Sequence, residues 1–153
     1  MDTHTFTTPA AFEKWLKKNH NQSTGAWLRF LKKAHKESSG DKSINYAEAL
    51  EVALCYGWID SVVNSIDDAA YAQKFSPRRP KSLWSKKNRQ HIARLIKDKR
   101  MTPAGLVHVK AAKKDGRWAQ AYDGAANMKI PADFLSELSK FKKAESFYKA
   151  LNK

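Results

Sequence analysis

Residues 58–75 read Trp58-Ile59-Asp60-Ser61-Val62-Val63-Asn64-Ser65-Ile66, then Asp67-Asp68-Ala69-Ala70, then Tyr71-Ala72-Gln73-Lys74-Phe75. The first run is rich in β-branched and aromatic residues, which suit a pleated, half-buried surface. Trp58, Val62 and Ile66 can share one face of a strand, interrupted by Asp60 and Asn64. Asp67-Asp68 supplies turn chemistry, and Tyr71 to Phe75 reads as a returning strand. The stretch predicts an antiparallel hairpin.

Outward from the hairpin, most of the chain reads as helix. Immediately upstream, Tyr46 to Tyr56 is apolar almost all round and predicts a buried central helix. Asn45, with Glu48 three residues on, forms a capping-box signature at its start, and Gly57 is placed to end it in a left-handed conformation. Gly25 to Lys33 (GAWLRFLKK) predicts a third strand, and Lys36 to Lys42 a loop. Thr8-Pro9 opens a first helix whose Phe12, Trp15 and Leu16 share a face. Downstream, Ser76 to Ser82 (SPRRPKS) reads as an extended loop, because Pro77 and Pro80 both resist helix. Helices are expected from about Leu83 to Lys97, from Thr102-Pro103 to Gly116, after Ile130-Pro131, and from Phe141 to Leu151. A further helical turn is expected near Trp118 and Tyr122. The expected fold is α+β: one mostly helical domain, 1–153, with a small antiparallel sheet made of hairpin 58–75 and strand 25–33.

Composition narrows the function classes. The 153 residues include 42% hydrophobic residues, with 5 Trp, 5 Tyr and 7 Phe, enough for a packed core. Cys55 is the lone cysteine, so neither an internal disulfide nor a zinc-binding cysteine pair can form. A reducing compartment fits this usage. No run approaches a transmembrane span, and Met1 to Pro9 lacks a secretory pattern, so a cytoplasmic location is expected. Basic residues number 29 against 15 acidic, a formal charge of +14. Such a charge attracts anionic partners: a small molecule, a protein, a lipid headgroup or a nucleic acid.

The charge is unevenly spread. From Lys74 to Arg100 there are eleven basic residues and one acid, Asp98. On the helix within this segment, Trp84, Asn88, His91, Ile92, Leu95 and Ile96 cover one arc, and Lys86, Arg89, Gln90, Arg94 and Lys97 the other. Arg78 and Arg79 lie just before the helix, and Lys81 and Trp84 flank its start. Two arginines beside an aromatic ring and a helix N-terminus suit a phosphate, a carboxylate or a planar anion. The same run also reads as an ordinary solvated helix face.

No phosphate-binding loop, dinucleotide fingerprint or zinc spacing occurs, so no cofactor and no metal is expected. His4, His20, His35, His91 and His108 are scattered. His91, on the apolar arc, reads as a core histidine, and His108 as a helix-surface or core-edge residue. Asp60 is the carboxylate of most interest. Paired with Arg78 or Arg79 it would be structural. In a pocket walled by Trp58 and Trp84 it would act as an acid or base while the arginines hold an anion. Ser85 and Asn88 would supply hydrogen bonds there. Cys55 reads as a small core residue rather than a nucleophile.

Three blocks resemble the signature of the YdeI/OmpD-associated (bacteriocin-protection) family. They are Ala53-Leu54-Cys55-Tyr56-Gly57-Trp58-Ile59-Asp60, then Phe75-Ser76-Pro77-Arg78-Arg79-Pro80-Lys81-Ser82, and Trp84-Ser85-Lys86-Lys87-Asn88. Arg100-Met101-Thr102-Pro103-Ala104-Gly105 resembles the next block. Ser61 and Lys99 stand where the family usually has glycine, and the chain stops at Lys153, where many members continue into a basic helical tail. The resemblance implies a small bacterial protein linked to protection against bacteriocins and cationic antimicrobial peptides, with no established catalytic mechanism. Binding of an anionic ligand or partner through Trp58, Asp60, Arg78, Arg79, Trp84, Ser85 and Asn88 is the expected function. A nucleic-acid-binding module using helix 83–97, and an enzyme acting on a small anionic metabolite, are the alternatives.

Overall fold

The computed structural model describes residues 3–124 and 130–151. The chain divides into two compact units, Met1–Tyr122 and Asp123–Lys153. The first unit runs β1 (Thr3–His4), α1 (Pro9–Asn19), β2 (Ala26–Leu31), α2 (Lys33–Ser39), α3 (Tyr46–Cys55), β3 (Trp58–Ser65), β4 (Ala70–Pro77), α4 (Lys86–Lys97) and α5 (Pro103–Lys114). The second unit contains α6 (Ala132–Ser139) and α7 (Lys142–Leu151), where Phe134 meets Tyr148 edge-on at 5.7 Å. The fold class is α+β.

The sheet has four strands in the order β1-β2-β4-β3. β3 and β4 form the expected hairpin, and β2 pairs antiparallel to β4 with Ala26 opposite Phe75. The sheet is mixed rather than purely antiparallel, because β1 adds in parallel beside β2. Two residues are too short a run to show a period-2 pattern in the sequence. Val62 and Ile66 do not share the buried face of Trp58. The register slips between Asp60 and Val63, and Val62, Val63 and Ile66 are each about half exposed, at 54%, 56% and 48%. A bulge of this kind breaks alternation and bends the strand, here at the sheet edge.

Helix boundaries follow their caps. The Thr8 side chain accepts from Ala11 N, and Pro9 opens α1. α3 has the full capping box: Asn45 Oδ1 accepts from Glu48 N at 2.9 Å, and Glu48 Oε2 accepts from Asn45 N at 2.8 Å. α2 replaces the expected loop over Lys36–Lys42. It buries no residue and so carries no apolar period; an exposed Lys33–Glu37 pair and left-handed Gly40 mark it instead. α4 begins at Lys86, capped by Ser85, rather than at Leu83. The extended loop runs on to Trp84, whose carbonyl accepts from Tyr122 N at 3.0 Å. The segment around Trp118 and Tyr122 is a turn followed by an isolated bridge to Ser85, not a helix.

One core joins these elements. Phe12 and Leu16 of α1, Leu50, Ala53 and Leu54 of α3, and alternate β2 residues Ala26, Leu28 and Phe30 meet Phe75, Trp84, Ile92 and Leu95. Trp58, 1% exposed, lies edge-on to Trp15 at 5.8 Å. Ile96, expected on the buried arc of α4, is 41% exposed. Glu51 of α3 ties this core to α4 by accepting from Arg94, and from Arg100 Nη1 at 2.7 Å.

Candidate functional site

Gly57 follows α3 at φ +73°, the left-handed region. A Cβ there would lie 2.6 Å from Cδ2 of His108, so the position admits only glycine without displacing that ring. Gly105 plays the matching part on α5, where a Cβ would sit 2.4 Å from the Cys55 carbonyl oxygen. These two glycines bring α5 against the α3–β3 turn. β4 reaches the same place: Arg78 N donates to Gly57 O at 2.9 Å.

That backbone bond sends the Arg78 side chain inward, where it is only 5% exposed. Its Cζ lies 3.7 Å from the Trp84 ring centroid, a close cation–π contact. Nη1 donates to Ser82 Oγ at 2.9 Å and to Leu83 O at 3.1 Å. Nε is buried and has no hydrogen-bond partner. No carboxylate forms an ion pair with this guanidinium among the described residues. Burial pulls its pKa down to about 10; Tyr122 acts the other way, Arg117 adds to the fall, and Asp60 opposes it. A buried cation is costly unless something pairs with it.

Arg78 forms the floor of a cavity of about 320 Å³. Arg79, Pro80, Lys81 and Ser82 make one wall, with Lys81 held at φ +62°. Val107, His108 and Ala111 of α5 make the opposite wall, and Asp115 and Arg117 close one end. Arg117 is committed elsewhere: it bridges Asp115 and donates to Ser82 O at 2.7 Å, which fixes the loop. The His108 imidazole titrates below its ordinary range, first because it is half-buried and then because Arg78 and Arg117 face it. At neutral pH it is an uncharged ring with one nitrogen free to accept a proton.

The structure brings Arg78, Arg79 and Trp84 of the sequence candidates to one cavity. Asp60 is not there. Its register places it opposite Phe75, and its Oδ2 accepts from Tyr46 Oη at 2.9 Å and from Gln73 Nε2 at 3.3 Å. It makes no ion pair with Arg78 or Arg79, which corrects the expected pairing. Trp58 is a core residue rather than a pocket wall, its Nε1 donating to His20 O at 3.1 Å. Ser85 Oγ accepts from Asn88 N at 3.1 Å as the α4 cap, and neither residue lines the cavity. His108, Val107 and Arg117 were missed. The one sequence signal for them was the pair of glycines, Gly57 and Gly105, that marks close approach by α5.

Among the described residues, neither the lone cysteine nor a metal-ligating cluster forms a rival centre. Cys55 is buried, and burial pushes its thiol up to about 11, so it is not a ready nucleophile. No group of three or more His, Cys, Asp or Glu among the described residues is placed to hold a metal ion. No helix among them is long and apolar enough to cross a membrane.

No curated protein and no solved structure matches the chain. Residues 4–108, from β1 through the His108 that walls the cavity, match a domain of unknown function, DUF8412, and the chain belongs to that family.

Proposed function

We propose that this protein binds a small anionic ligand, one bearing a phosphate or carboxylate, in the cavity between the Arg78–Trp84 loop and α5. The observation that carries this reading is Arg78: a guanidinium 5% exposed, stacked on Trp84, with an unpartnered Nε and no carboxylate. An anion entering the cavity would supply the missing counter-charge where the local dielectric is low and the attraction strong. Arg79 and Lys81, exposed on the rim, would draw it in.

The resemblance to the YdeI/OmpD-associated family supplies the biological setting we propose, protection against bacteriocins and cationic peptides. A surface of +14 repels cationic peptides, so protection would run through an anionic ligand or partner rather than through capture of the peptide.

The test is a thermal-shift screen of phosphate- and carboxylate-bearing compounds. A ligand at about 100 times its Kd stabilises by about 2.7 kcal/mol. The reading expects a hit whose shift is lost in Arg79→Ala and in Arg78→Met; a screen whose hits survive both substitutions would overturn it.

A second reading, catalysis on such a metabolite, draws on His108. A neutral imidazole facing an arginine-held anion is placed to take a proton. His108→Gln separates the two readings: turnover lost with binding retained marks an enzyme, and binding unchanged with no turnover to lose marks a binding protein.

A further inference from the structure

Residues 74–117 contain 15 of the 29 basic residues, with Asp98 and Asp115 as their only acids. Neither α4 nor α5 contains an acidic residue. Asp115 is already bridged by Arg117, so it does not offset the surface around it. Lys87, Arg89 and Lys97 of α4, and Lys110, Lys113 and Lys114 of α5, therefore give these two helices a positive charge far in excess of what solubility requires.

A second concavity, about 440 Å³ and open, lies on the basic face of α4, lined by Lys86, Arg89, Gln90, Ala93 and Trp118. It shares no lining residue with the Arg78 cavity. Trp118, one of the lining residues, is held edge-on to buried Trp84 at 5.0 Å. Arg89 Cζ from α4 and Lys113 Nζ from α5 lie 5.4 and 5.5 Å from its ring centroid. Cations from two helices thus converge on one indole that the core holds in place.

We propose that this face is a track for single-stranded nucleic acid, with phosphates on the lysines and an unpaired base stacked at Trp118 and the Arg89 guanidinium. Charge alone would suit any polyanion. The aromatic ring between two cations adds what a single strand offers and an acidic peptide does not: a flat base beside each phosphate. A membrane surface would require apolar residues for insertion, and the α4 residues of the groove are Lys86, Arg89, Gln90 and Ala93.

The test uses fluorescence anisotropy with a labelled oligothymidylate of about 20 nucleotides at about 50 mM salt, where phosphate contacts are strong. The same oligomer in duplex form and a polyglutamate of similar length serve as competitors. Expected are tight binding of the single strand, a linear fall of log K with log salt, and weak competition by duplex and polyglutamate. Gln90→Glu and Lys113→Glu, both at exposed positions, should weaken binding at least about tenfold. Trp118→Phe should retain binding, while Trp118→Leu should lose roughly five- to hundredfold, the range of one stacked base. Circular dichroism establishes that each variant is folded. No binding at this salt, equal competition by polyglutamate or duplex, or equal affinity in the two added-carboxylate variants and the wild type would each overturn the proposal.

Discussion

Arg78 joins two demands that ordinarily conflict. As a core residue it should be apolar, and as a ligand group it should be a cation. Its folded pKa lies below its unfolded value, so the unfolded chain holds the proton more tightly. The cost is fully present below about pH 10 and is relieved only as pH rises beyond it, toward the ordinary guanidinium range. Arg78→Met keeps an unbranched apolar stem and removes the charge. It should leave Tm unchanged or raised at pH 7 while abolishing any anion-dependent shift, the usual trade between function and stability. A loss of about 3 kcal/mol or more, the scale of a broken buried pair, would instead mark Arg78 as structural. His108 and His91 both titrate below the ordinary imidazole value of 6.5 because burial penalises their charged forms. As pH falls through 6.5 the unfolded state takes up protons first, so stability should decline on that acid limb. Urea midpoints between about pH 5 and 7 should flatten in His108→Gln and His91→Gln. Arg78, Arg79 and Trp84 were legible as a group because the sequence places them within one loop. His108 was not, because a lone histidine on a helix gives no sign of what stands opposite.

Among the elements of the first unit, those that pack on the core showed themselves and those that do not stayed hidden. α3 was readable from its capping box and apolar run, and α4 from the arc that buries Ile92 and Leu95. α2 buries nothing and β1 is two residues long, so neither left a hydrophobic period. The bulge in β3 was equally silent, since a slip of register changes which residues face inward without changing composition. Just before that slip, Asp60 meets Tyr46 and Gln73 rather than an arginine. Tyr46→Phe should cost about 1.5–3 kcal/mol, the worth of a hydrogen bond to a charged group, seen as a lowered urea midpoint. The approach of α5 to the α3–β3 turn is the contact on which the cavity depends. Gly57→Ala would force a left-handed alanine and meet the His108 ring at once. We expect a loss of at least about 1–2 kcal/mol from the backbone alone, with anion binding reduced further because His108 must move. Gly40→Ala, equally left-handed but with nothing within 4 Å, is the control that isolates the backbone part.

The molecule as a whole is polarised along its sequence: residues 74–117 hold nearly all of the net +14, and the remainder is close to neutral. Like charges at that density repel, and folding brings them closer than the unfolded chain does. Salt at 0.1 M screens the repulsion between charges more than about 10 Å apart, so the free protein should become more stable as salt rises. Anion binding depends on the same field and should weaken over the same range. The two slopes therefore carry opposite signs, which most proteins with scattered charges would not show. Melting curves from about 25 to 300 mM salt, with and without a bound anion, should converge from opposite directions: free Tm rising, ligand-induced shift shrinking. Reversing charges that do not line the cavity, as in Lys97→Glu with Lys114→Glu, should flatten the rise in free Tm. It should leave the shrinkage of the ligand shift largely in place, because the cavity's own field comes from Arg78, Arg79 and Lys81. A free Tm that does not change with salt would mean that the charge is already balanced across the fold, and the concentration of positive residues would then carry no energetic consequence.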